Sequence, residues 1–358
     1  MIVNIVVYGL IFITFLLCLI LTPLTIKLAK RFGIVDLPKD KRKIHSGAMP
    51  RIGGLAIVLS IFIGMGTYYF STKMIDSIAL NEKFIGYLLG AFVIFLMGLV
   101  DDIFNLKARY KFIFQLVAAG IVYYYGIVIE GIKIPFIYTD VIDFGILSLP
   151  ITMIWIIGVT NAVNLIDGLD GLAAGISAIS ATALLIIFIT TSASLEAIII
   201  TATLVGSTLG FLPYNFNPAK TFMGDVGSNF LGFTLACVAV LGFAKGYTML
   251  AIIAPILTLG VPIFDTLFAM IRRFINHKPM LCPDGGHVHH RLLKRGFNQR
   301  QAVLILYTIT SILCIIAVTI ISADFWKLII LIIATITFIV IGILNVKNNK
   351  KEKEETKV

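Results

Sequence analysis

Acidic side chains stand at the ends of apolar runs in this chain, where they could take part in chemistry. Asp101 and Asp102 close the run MGLVDD, and Asp225 opens another run between two glycines. Ionised carboxylates beside apolar segments cost free energy, and adjacent carboxylates attract a hard divalent cation or share a proton. Each position also has a simpler explanation, a helix-end charge pair for the first two and a helix N-cap for the third. All three are candidate catalytic or metal-binding residues.

The segment NAVNLIDGLDGLAAG is the most informative part of the sequence. Polar residues recur in it at every third position, namely Asn161, Asn164, Asp167 and Asp170. Side chains at that spacing project from nearby faces of a helix, and the glycine after each aspartate permits a tight turn against a ligand. Helix capping alone needs fewer such groups. The later segment YNFNPAKTFMGDVGS adds Asn215, and we interpret these five residues as candidate substrate-binding groups.

A histidine cluster follows near the end of the chain, in the segment PDGGHVHHRLLKRG. It contains His287, His289, His290 and Arg291. Phosphate and nucleotide contacts are the preferred interpretation, because Arg and Lys residues surround the imidazoles. Two alternatives stay open: a zinc site, since imidazole suits that ion, and a basic helix lying on anionic lipid.

Two further basic segments are candidate anion sites. Lys43 belongs to KRKIHSGAMPRIGG, where basic residues precede a glycine pair, a pattern that suits an anion at a helix N-terminus. Lys111 follows the acidic pair, together with Lys107 and Arg109. Positive charge on the cytoplasmic side of a membrane protein explains both segments about as well as phosphate binding does.

Carboxylates, amides, histidines and cations are the groups that phosphoryl transfer uses. Carboxylates hold Mg²⁺, the ion bridges a pyrophosphate, and protein cations neutralise the charge that develops. The sequence therefore predicts a Mg²⁺-dependent enzyme, with Mn²⁺ as a substitute ion, provided that the fold brings these segments to one place.

The composition shows which solvent the fold must suit. Of 358 residues, 59% are hydrophobic and only 13% are charged, whereas a soluble domain has about a quarter charged residues. Such a chain cannot hide its apolar surface from water, so the lipid bilayer is its solvent. The net charge of +10 then reflects basic residues on the cytoplasmic side and does not indicate a nucleic-acid partner.

Eleven apolar runs are each long enough to cross a bilayer as a helix, which predicts an all-α polytopic membrane protein. They cover approximately residues 4–26, 52–71, 84–100, 111–129, 147–163, 172–191, 196–213, 227–243, 247–271, 302–322 and 326–345. With the N-terminus outside, five of the 29 Lys and Arg residues are external, and these are Lys73, Lys83, Lys133, Lys245 and Lys327. This asymmetry predicts a cytoplasmic C-terminus and places nearly every unusual polar segment on the cytoplasmic face.

The chain is predicted to form one multi-span catalytic domain, residues 1–346, followed by a charged, disordered cytoplasmic tail, residues 347–358. Between the fourth and fifth runs, apolar residues alternate with others and then Asp143-Phe144-Gly145 follows. This pattern predicts a small external β-hairpin near residues 129–146.

The motifs resemble those of the polyprenyl-phosphate N-acetylhexosamine-1-phosphate transferases, the superfamily that includes translocase I of peptidoglycan synthesis. The matching segments are RKIHSGAMPRIGG, VDDIF, NAVNLIDGLDGLAAG, NPAKTFMGDVGS and PDGGHVHHRLL. The resemblance implies that a UDP-N-acetylhexosamine gives its sugar-1-phosphate to undecaprenyl phosphate and releases UMP. The lipid-linked sugar would begin a cell-envelope glycopolymer at the cytoplasmic membrane, and a homodimer is an open alternative to a single copy.

The resemblance also implies roles for individual residues. Asp101 and Asp102 match an acidic pair of which one member is the base acting on the lipid phosphate, and Asp225 matches the Mg²⁺ ligand. Lys111 matches a basic residue near the lipid phosphate. The polar positions of the nucleotide site are matched by Asn164, Asp167, Asp170 and Asn215.

The histidine segment separates the two branches of the superfamily. Translocase I has three consecutive histidines, whereas this chain has His287-Val288-His289-His290, the pattern of the GlcNAc branch. Transfer of phospho-MurNAc-pentapeptide is therefore the second hypothesis. A secondary transporter is a third hypothesis, and it predicts broken helices and charged residues at the membrane midplane. The acidic residues of these motifs lie instead at the cytoplasmic ends of the apolar runs, and no repeat symmetry is evident.

Overall fold

The computed structural model describes residues 2–36, 48–75, 81–132, 141–243, 249–276 and 286–322. Most of them are helical. The helices are α1 (Ile2–Arg31), α2 (Gly54–Ile75), α3 (Glu82–Phe104), α4 (Ala108–Tyr124), α5 (Ser148–Ile166), α6 (Leu172–Thr190), α7 (Leu195–Asn215), α8 (Gly224–Phe243), α9 (Met249–Thr258), α10 (Gly260–Ile275), α11 (Val288–Lys294) and α12 (Gln299–Ser322). Two antiparallel pairs of short strands join them: β1 (Val35–Asp36) with β2 (Met49–Pro50), and β3 (Gly131–Ile132) with β4 (Ile142–Asp143).

Within these ranges, eight helices are long and apolar enough to cross a bilayer, namely α1, α2, α3, α5, α6, α7, α8 and α12. The prediction of an all-α polytopic membrane protein is confirmed at this level. Each predicted run except 326–345 coincides with helix, and that run lies outside the described residues. The count of eleven spans and the orientation stay predictions.

One predicted span, 247–271, is divided into two helices at Leu259. Pro262 has no N–H to donate to the Thr258 carbonyl, which removes one hydrogen bond of a regular helix at this point. The Ser180 hydroxyl donates to the Thr258 carbonyl instead. The break between α9 and α10 is therefore stabilised by a neighbouring helix, as membrane helices require.

Helix α8 lies at the centre of the bundle. Its residues from Val226 to Gly242 are all buried, and it packs against α2, α3, α5, α6, α7 and α9. Gly98 of α3 lies against its first turn, where a Cβ atom would come within 2.5 Å of the Val226 Cα. Gly54 of α2 faces Gly227 in the same way. Small residues thus let two helices approach the amino end of α8 backbone to backbone.

Most buried hydroxyl groups in the described helices have hydrogen-bond partners nearby, although the Ser177 hydroxyl of α6 has none. Most donate to the carbonyl three or four residues earlier in the same helix, as Thr14, Thr22, Thr201, Ser207 and Thr208 do. In hydrocarbon no water can satisfy such groups, so this pairing is what makes polar residues tolerable there. Tyr87 of α3 and Thr234 of α8 pair between helices instead, with oxygens 3.0 Å apart.

The polar motifs meet at one end of the bundle, where α3, α5 and α7 end and α4, α6 and α8 begin. Phe222 donates its N–H to the Pro50 carbonyl at 2.9 Å, and Gly53 returns an N–H to the Phe222 carbonyl at 3.0 Å. These bonds join strand β2 to the segment before α8. The segment that contains Lys43, residues 37–47, lies outside the described residues.

The expected external hairpin is described only at its base. Gly131 pairs with Asp143 and Ile132 with Ile142, in antiparallel register. Residues 133–140 and the predicted tail 347–358 lie outside the described ranges, so the complete hairpin and the tail stay predictions.

The close contact between α3 and α8 gives a test of the packing. In Gly98→Ala, the new Cβ would lie 2.5 Å from the Val226 Cα and 2.8 Å from the Asp225 carbonyl. We expect overpacking to cost about 1–3 kcal/mol and to lower the thermal unfolding temperature in detergent. Gly66→Ala is the matched control, because no heavy atom lies within 4 Å of its Cβ position. Equal unfolding temperatures for the two variants would contradict this packing.

Candidate active site

Asp102, on the neighbouring helix α3, caps the amino end of α8. Its Oδ1 accepts the Asp225 N–H at 2.9 Å and its Oδ2 accepts the Val226 N–H at 3.0 Å. The Arg51 Nε lies 3.4 Å from Oδ1, and the Asp102 side chain is fully buried. Because both of its oxygens bind the backbone of α8, this carboxylate holds the helix in place and orients Asp225.

Asp225 begins α8 and lies at the centre of the polar cluster. Its Oδ1 accepts from the Asn164 amide at 2.6 Å, and its Oδ2 lies 3.1 Å from the Lys111 ammonium. The Arg51 guanidinium is 3.8 Å from the same oxygen. Helices α4 and α5 and the segment after β2 thus supply the groups around one partly exposed carboxylate.

Asp101 differs from its neighbour Asp102 although both end the same helix. Its Oδ1 accepts the Leu106 N–H at 2.7 Å, which shapes the turn after α3, and its Oδ2 forms an ion pair with Lys111. Lys111 therefore lies between Asp101 and Asp225. The two members of the acidic pair have unequal surroundings, as the angular spacing of adjacent helix residues predicts.

Asp167 lies in a turn and not on a helix face. Helix α5 ends at Ile166, so the every-third-residue spacing is helical only for the two asparagines before it. Among the described residues, no hydrogen bond or ion pair reaches the half-buried Asp167 carboxylate. Burial, followed by repulsion from three carboxylates (Asp225, Asp102 and Asp170), raises the pKa of Asp167 to about 8.

Asp170 and Asn215 hold the glycine-rich turn against the segment before α8. Asp170 Oδ2 accepts from the Asn217 amide at 2.9 Å and from the Ala219 N–H at 3.1 Å. Asn215 Oδ1 accepts the Gly171 N–H at 3.2 Å. Their roles in substrate binding stay predictions, since both side chains already bind the protein.

Asn161 lies one turn deeper in α5 than Asn164. Its amide nitrogen donates to Gln115 Oε1 at 2.8 Å and to the Ile157 carbonyl at 2.8 Å. It therefore lies beneath the carboxylate cluster, in contact with α4, and its predicted contact with substrate is untested.

The histidine segment forms the short helix α11, held by an aspartate in the bundle. Asp265 of α10 receives the Val288 N–H on one oxygen, and its other oxygen is 2.8 Å from His287 Nδ1. Both side chains of the His287–Asp265 pair are buried. Asp265 thereby fixes where α11 begins.

His289 and His290 extend this cluster toward the glycine-rich turn. A Cβ at Gly168 would lie 2.6 Å from His289 Nε2, so the buried imidazole packs directly on that turn. Burial, with neighbouring His290 adding to it, lowers the pKa of His289 to about 4, which makes this ring neutral at pH 7. His290 lies 4.2 Å from it between ring centroids, and Arg291 is exposed.

Three residues of this region were not predicted as site residues: Gln115, Asn229 and Asp265. Arg51 belongs to the basic segment that was a candidate anion site. Each of the three is a polar residue within an apolar run, and Gln115 and Asn229 follow Lys111 and Asp225 by four positions. That helical spacing was the available signal.

The oxygen donors of this cluster suit a hard cation such as Mg²⁺. In the described part of the chain, no three His, Cys, Asp or Glu side chains surround one point closely enough to hold an ion alone. Mg²⁺ usually binds through one or two carboxylates together with waters and substrate phosphates. Asp225 fits that pattern, and so does Asp167, whose carboxyl group has no cationic partner among the described residues.

The fold and the cluster define a multi-span membrane protein whose carboxylates and cations meet at one end of its helices. Residues 84–243 match the model of glycosyl transferase family 4. A Bacillus subtilis (strain 168) protein, named probable undecaprenyl-phosphate N-acetylglucosaminyl 1-phosphate transferase, is 39% identical over 347 residues, covering 94% of this chain and 92% of that one. This chain belongs to glycosyl transferase family 4, which confirms the resemblance found in its motifs.

Two other relatives carry related names. Decaprenyl-phosphate N-acetylglucosaminephosphotransferase of Mycobacterium tuberculosis (strain ATCC 25618 / H37Rv) is 33% identical over 306 residues, covering 78% of this chain and 74% of that protein. Phospho-N-acetylmuramoyl-pentapeptide-transferase of Halalkalibacterium halodurans is 32% identical over 326 residues, covering 86% and 94% respectively.

The cap that Asp102 provides can be tested by removing it. Asp102→Ala takes both acceptors from the first N–H groups of α8, so we expect a loss of about 1–2 kcal/mol and a lower thermal unfolding temperature. Asp143→Ala is the matched control, because its carboxylate accepts one N–H, from Gly145, at an exposed turn outside the cluster. An unfolding temperature for Asp102→Ala equal to that of the control would show that this cap does not stabilise α8.

Proposed function

We propose that this protein transfers N-acetylglucosamine-1-phosphate from UDP-N-acetylglucosamine to undecaprenyl phosphate, with release of UMP. An oxygen of the lipid phosphate forms a bond to the sugar-linked phosphorus, and the pyrophosphate bond to UMP breaks. The name of the Bacillus subtilis relative supports the acceptor and the sugar phosphate. The product would begin a cell-envelope glycopolymer such as a teichoic acid.

The observation that carries this proposal is the charge pattern of the cluster. Lys111 and Arg51 pair with Asp101, Asp102 and Asp225, whereas Asp167 has no cationic partner among the described residues. A divalent cation that binds together with a pyrophosphate substrate would supply the positive charge that these carboxylates lack. When bound, Mg²⁺ held by Asp225 and Asp167 would neutralise pyrophosphate charge.

The residues around Asp225 suggest how each substrate would be held. Asp101 is the member of the acidic pair that faces Lys111, so we assign it to the lipid phosphate, as base or as hydrogen-bond acceptor. Lys111 would neutralise charge on that phosphate once substrate competes for its ammonium. Asp102, with both oxygens on α8, keeps Asp225 in place.

The donor would lie between the glycine-rich turn and α11. His289 packs on Gly168, and His290 and Arg291 follow on the same short helix. A neutral imidazole can donate or accept a hydrogen bond to a sugar hydroxyl, and an exposed guanidinium can bind a phosphate through two N–H groups. We propose that this surface selects the sugar and faces the cytoplasm.

The positive-inside rule supports the cytoplasmic location. Helices α1 and α10 both have basic residues in the last turn, Lys30 with Arg31 and Arg272 with Arg273. Both turns lie at the end of the bundle that carries the carboxylate cluster. Basic residues at that end favour retention on the cytoplasmic side of the cell membrane.

The proposal predicts the products of a defined reaction. Purified protein in detergent with undecaprenyl phosphate, Mg²⁺ and UDP-N-acetylglucosamine should release UMP and form a lipid whose mass gains one N-acetylhexosamine phosphate. UDP-N-acetylgalactosamine and UDP-MurNAc-pentapeptide are the comparison donors. Transfer from the MurNAc donor alone would establish the second hypothesis, which the Halalkalibacterium halodurans relative motivates. Donor uptake into vesicles without UMP release would indicate a transporter and overturn the proposal.

The role of Asp225 as metal ligand gives a second test. Asp225→Asn keeps the side-chain shape and an oxygen facing the Asn164 amide but removes the negative charge. We expect kcat to fall by about 100-fold or more with an unchanged unfolding temperature, because preorganised charge is lost at the reacting centre. Asp143→Asn should leave kcat unchanged. Turnover near the wild-type rate at ordinary Mg²⁺ concentration would remove Asp225 from the metal site.

A further inference from the structure

Three helices each carry one polar residue of the cluster and, one turn deeper, a side-chain amide. The pairs are Lys111 and Gln115 on α4, Asn164 and Asn161 on α5, and Asp225 and Asn229 on α8. Spacings of three and four residues place both members of a pair on the same helix face. The deeper members face one another, just as the upper members do.

The deeper amides form one connected network, which we call the amide layer (Gln115, Asn161 and Asn229). Asn161 Nδ2 donates to Gln115 Oε1 at 2.8 Å, and Gln115 Nε2 lies 3.3 Å from Asn161 Oδ1. The same Gln115 nitrogen lies 3.3 Å from Asn229 Oδ1. Asn229 Nδ2 donates upward to the Asp225 carbonyl at 3.0 Å.

Burial makes this network sensitive to helix rotation. Gln115 and Asn229 are 2% and 1% exposed. An amide that loses its partner there has no water to replace it and costs free energy. A shift of one residue rotates a helix position by about 100°. Rotation or sliding of any one helix therefore breaks bonds in the layer.

We propose that the amide layer positions the reacting groups by fixing the rotation and depth of α4, α5 and α8. With the layer intact, the Lys111 ammonium and the Asn164 amide both meet the Asp225 carboxylate, at 3.1 and 2.6 Å. Gln115, Asn161 and Asn229 are positioning residues, since they act on substrate through the residues one turn above them. The activity test below rests on the proposed transfer reaction.

Two other roles for the layer give different results. If Asn161 binds substrate directly, Asn161→Leu raises a KM and Gln115→Met has no effect. If the layer only stabilises the fold, kcat follows the unfolding temperature in every variant. If the layer positions the reacting groups, kcat falls even in a variant whose unfolding temperature is unchanged. The reason is that Lys111, Asn164 and Asp225 lose their alignment although the protein remains stable.

The decisive variant replaces the whole layer with apolar residues of similar size: Gln115→Met, Asn161→Leu and Asn229→Leu together. No layer amide is then left without a partner, so we expect an unfolding temperature close to wild type. We expect kcat to fall about 10- to 100-fold, as misplacement by about 1 Å does, with each KM within about threefold of wild type. Gln115→Met alone should lower kcat to a similar extent and also lower the unfolding temperature.

Tyr87→Phe is the matched control, because it removes a buried hydrogen bond between α3 and α8 at a distance from the cluster. It should lower the unfolding temperature and leave kcat unchanged. A triple variant that keeps wild-type kcat overturns the proposal. So does a triple variant that cannot be recovered folded, since the layer would then be a folding requirement.

A structure of the triple variant supplies a measurement that needs no activity. We expect the separation between Asn164 Nδ2 and Asp225 Oδ1, 2.6 Å here, to exceed hydrogen-bonding distance. An unchanged separation overturns the positioning role. If wild-type protein transfers no sugar phosphate from any donor, the proposed function fails, while this distance still tests the amide layer.

Discussion

The amino end of α8 is the constraint on which the arrangement of the carboxylate cluster depends. This helix is buried along its length, so its first N–H groups and the positive end of its dipole need an acceptor that water cannot supply. Asp102 is that acceptor. For Asp102 to reach these N–H groups, α3 must lie close to α8, and Gly98 allows this because it has no side chain. Asp225, at the first turn of α8, then lies beside Lys111.

Charge balance connects this constraint to function. The cations Arg51 and Lys111 are shared among three carboxylates, which leaves the cluster negative before Asp167 is counted. The partly exposed carboxylates of Asp225 and Asp167 are accessible to a cationic partner. Burial, and then repulsion from the neighbouring carboxylates, raises the pKa of Asp167.

The sequence predicted the elements well, because apolar runs and glycine-flanked acidic motifs are local features. Helix geometry also places adjacent side chains such as Asp101 and Asp102 about 100° apart, so the two can have different roles. The sequence could not say which of them caps α8, since that depends on how α3 packs against a helix far along the chain. For a related reason, the sequence did not identify three other residues of the site, Gln115, Asn229 and Asp265. The role of a single polar residue in an apolar run can be assigned only when its partner on another helix is known.

The turn before α8 also restricts which amino-acid substitutions the protein can accept during evolution. Gly224 has φ of +70°, and a Cβ there would lie 2.5 Å from the Asp102 carboxylate. Every codon change that replaces a glycine adds a side chain, so no small mutational step is available at this position. Gly54, Gly98 and Gly227 are closed in the same way. The amino end of α8 is consequently surrounded by four positions at which a substitution would force the backbone or a neighbouring side chain to move.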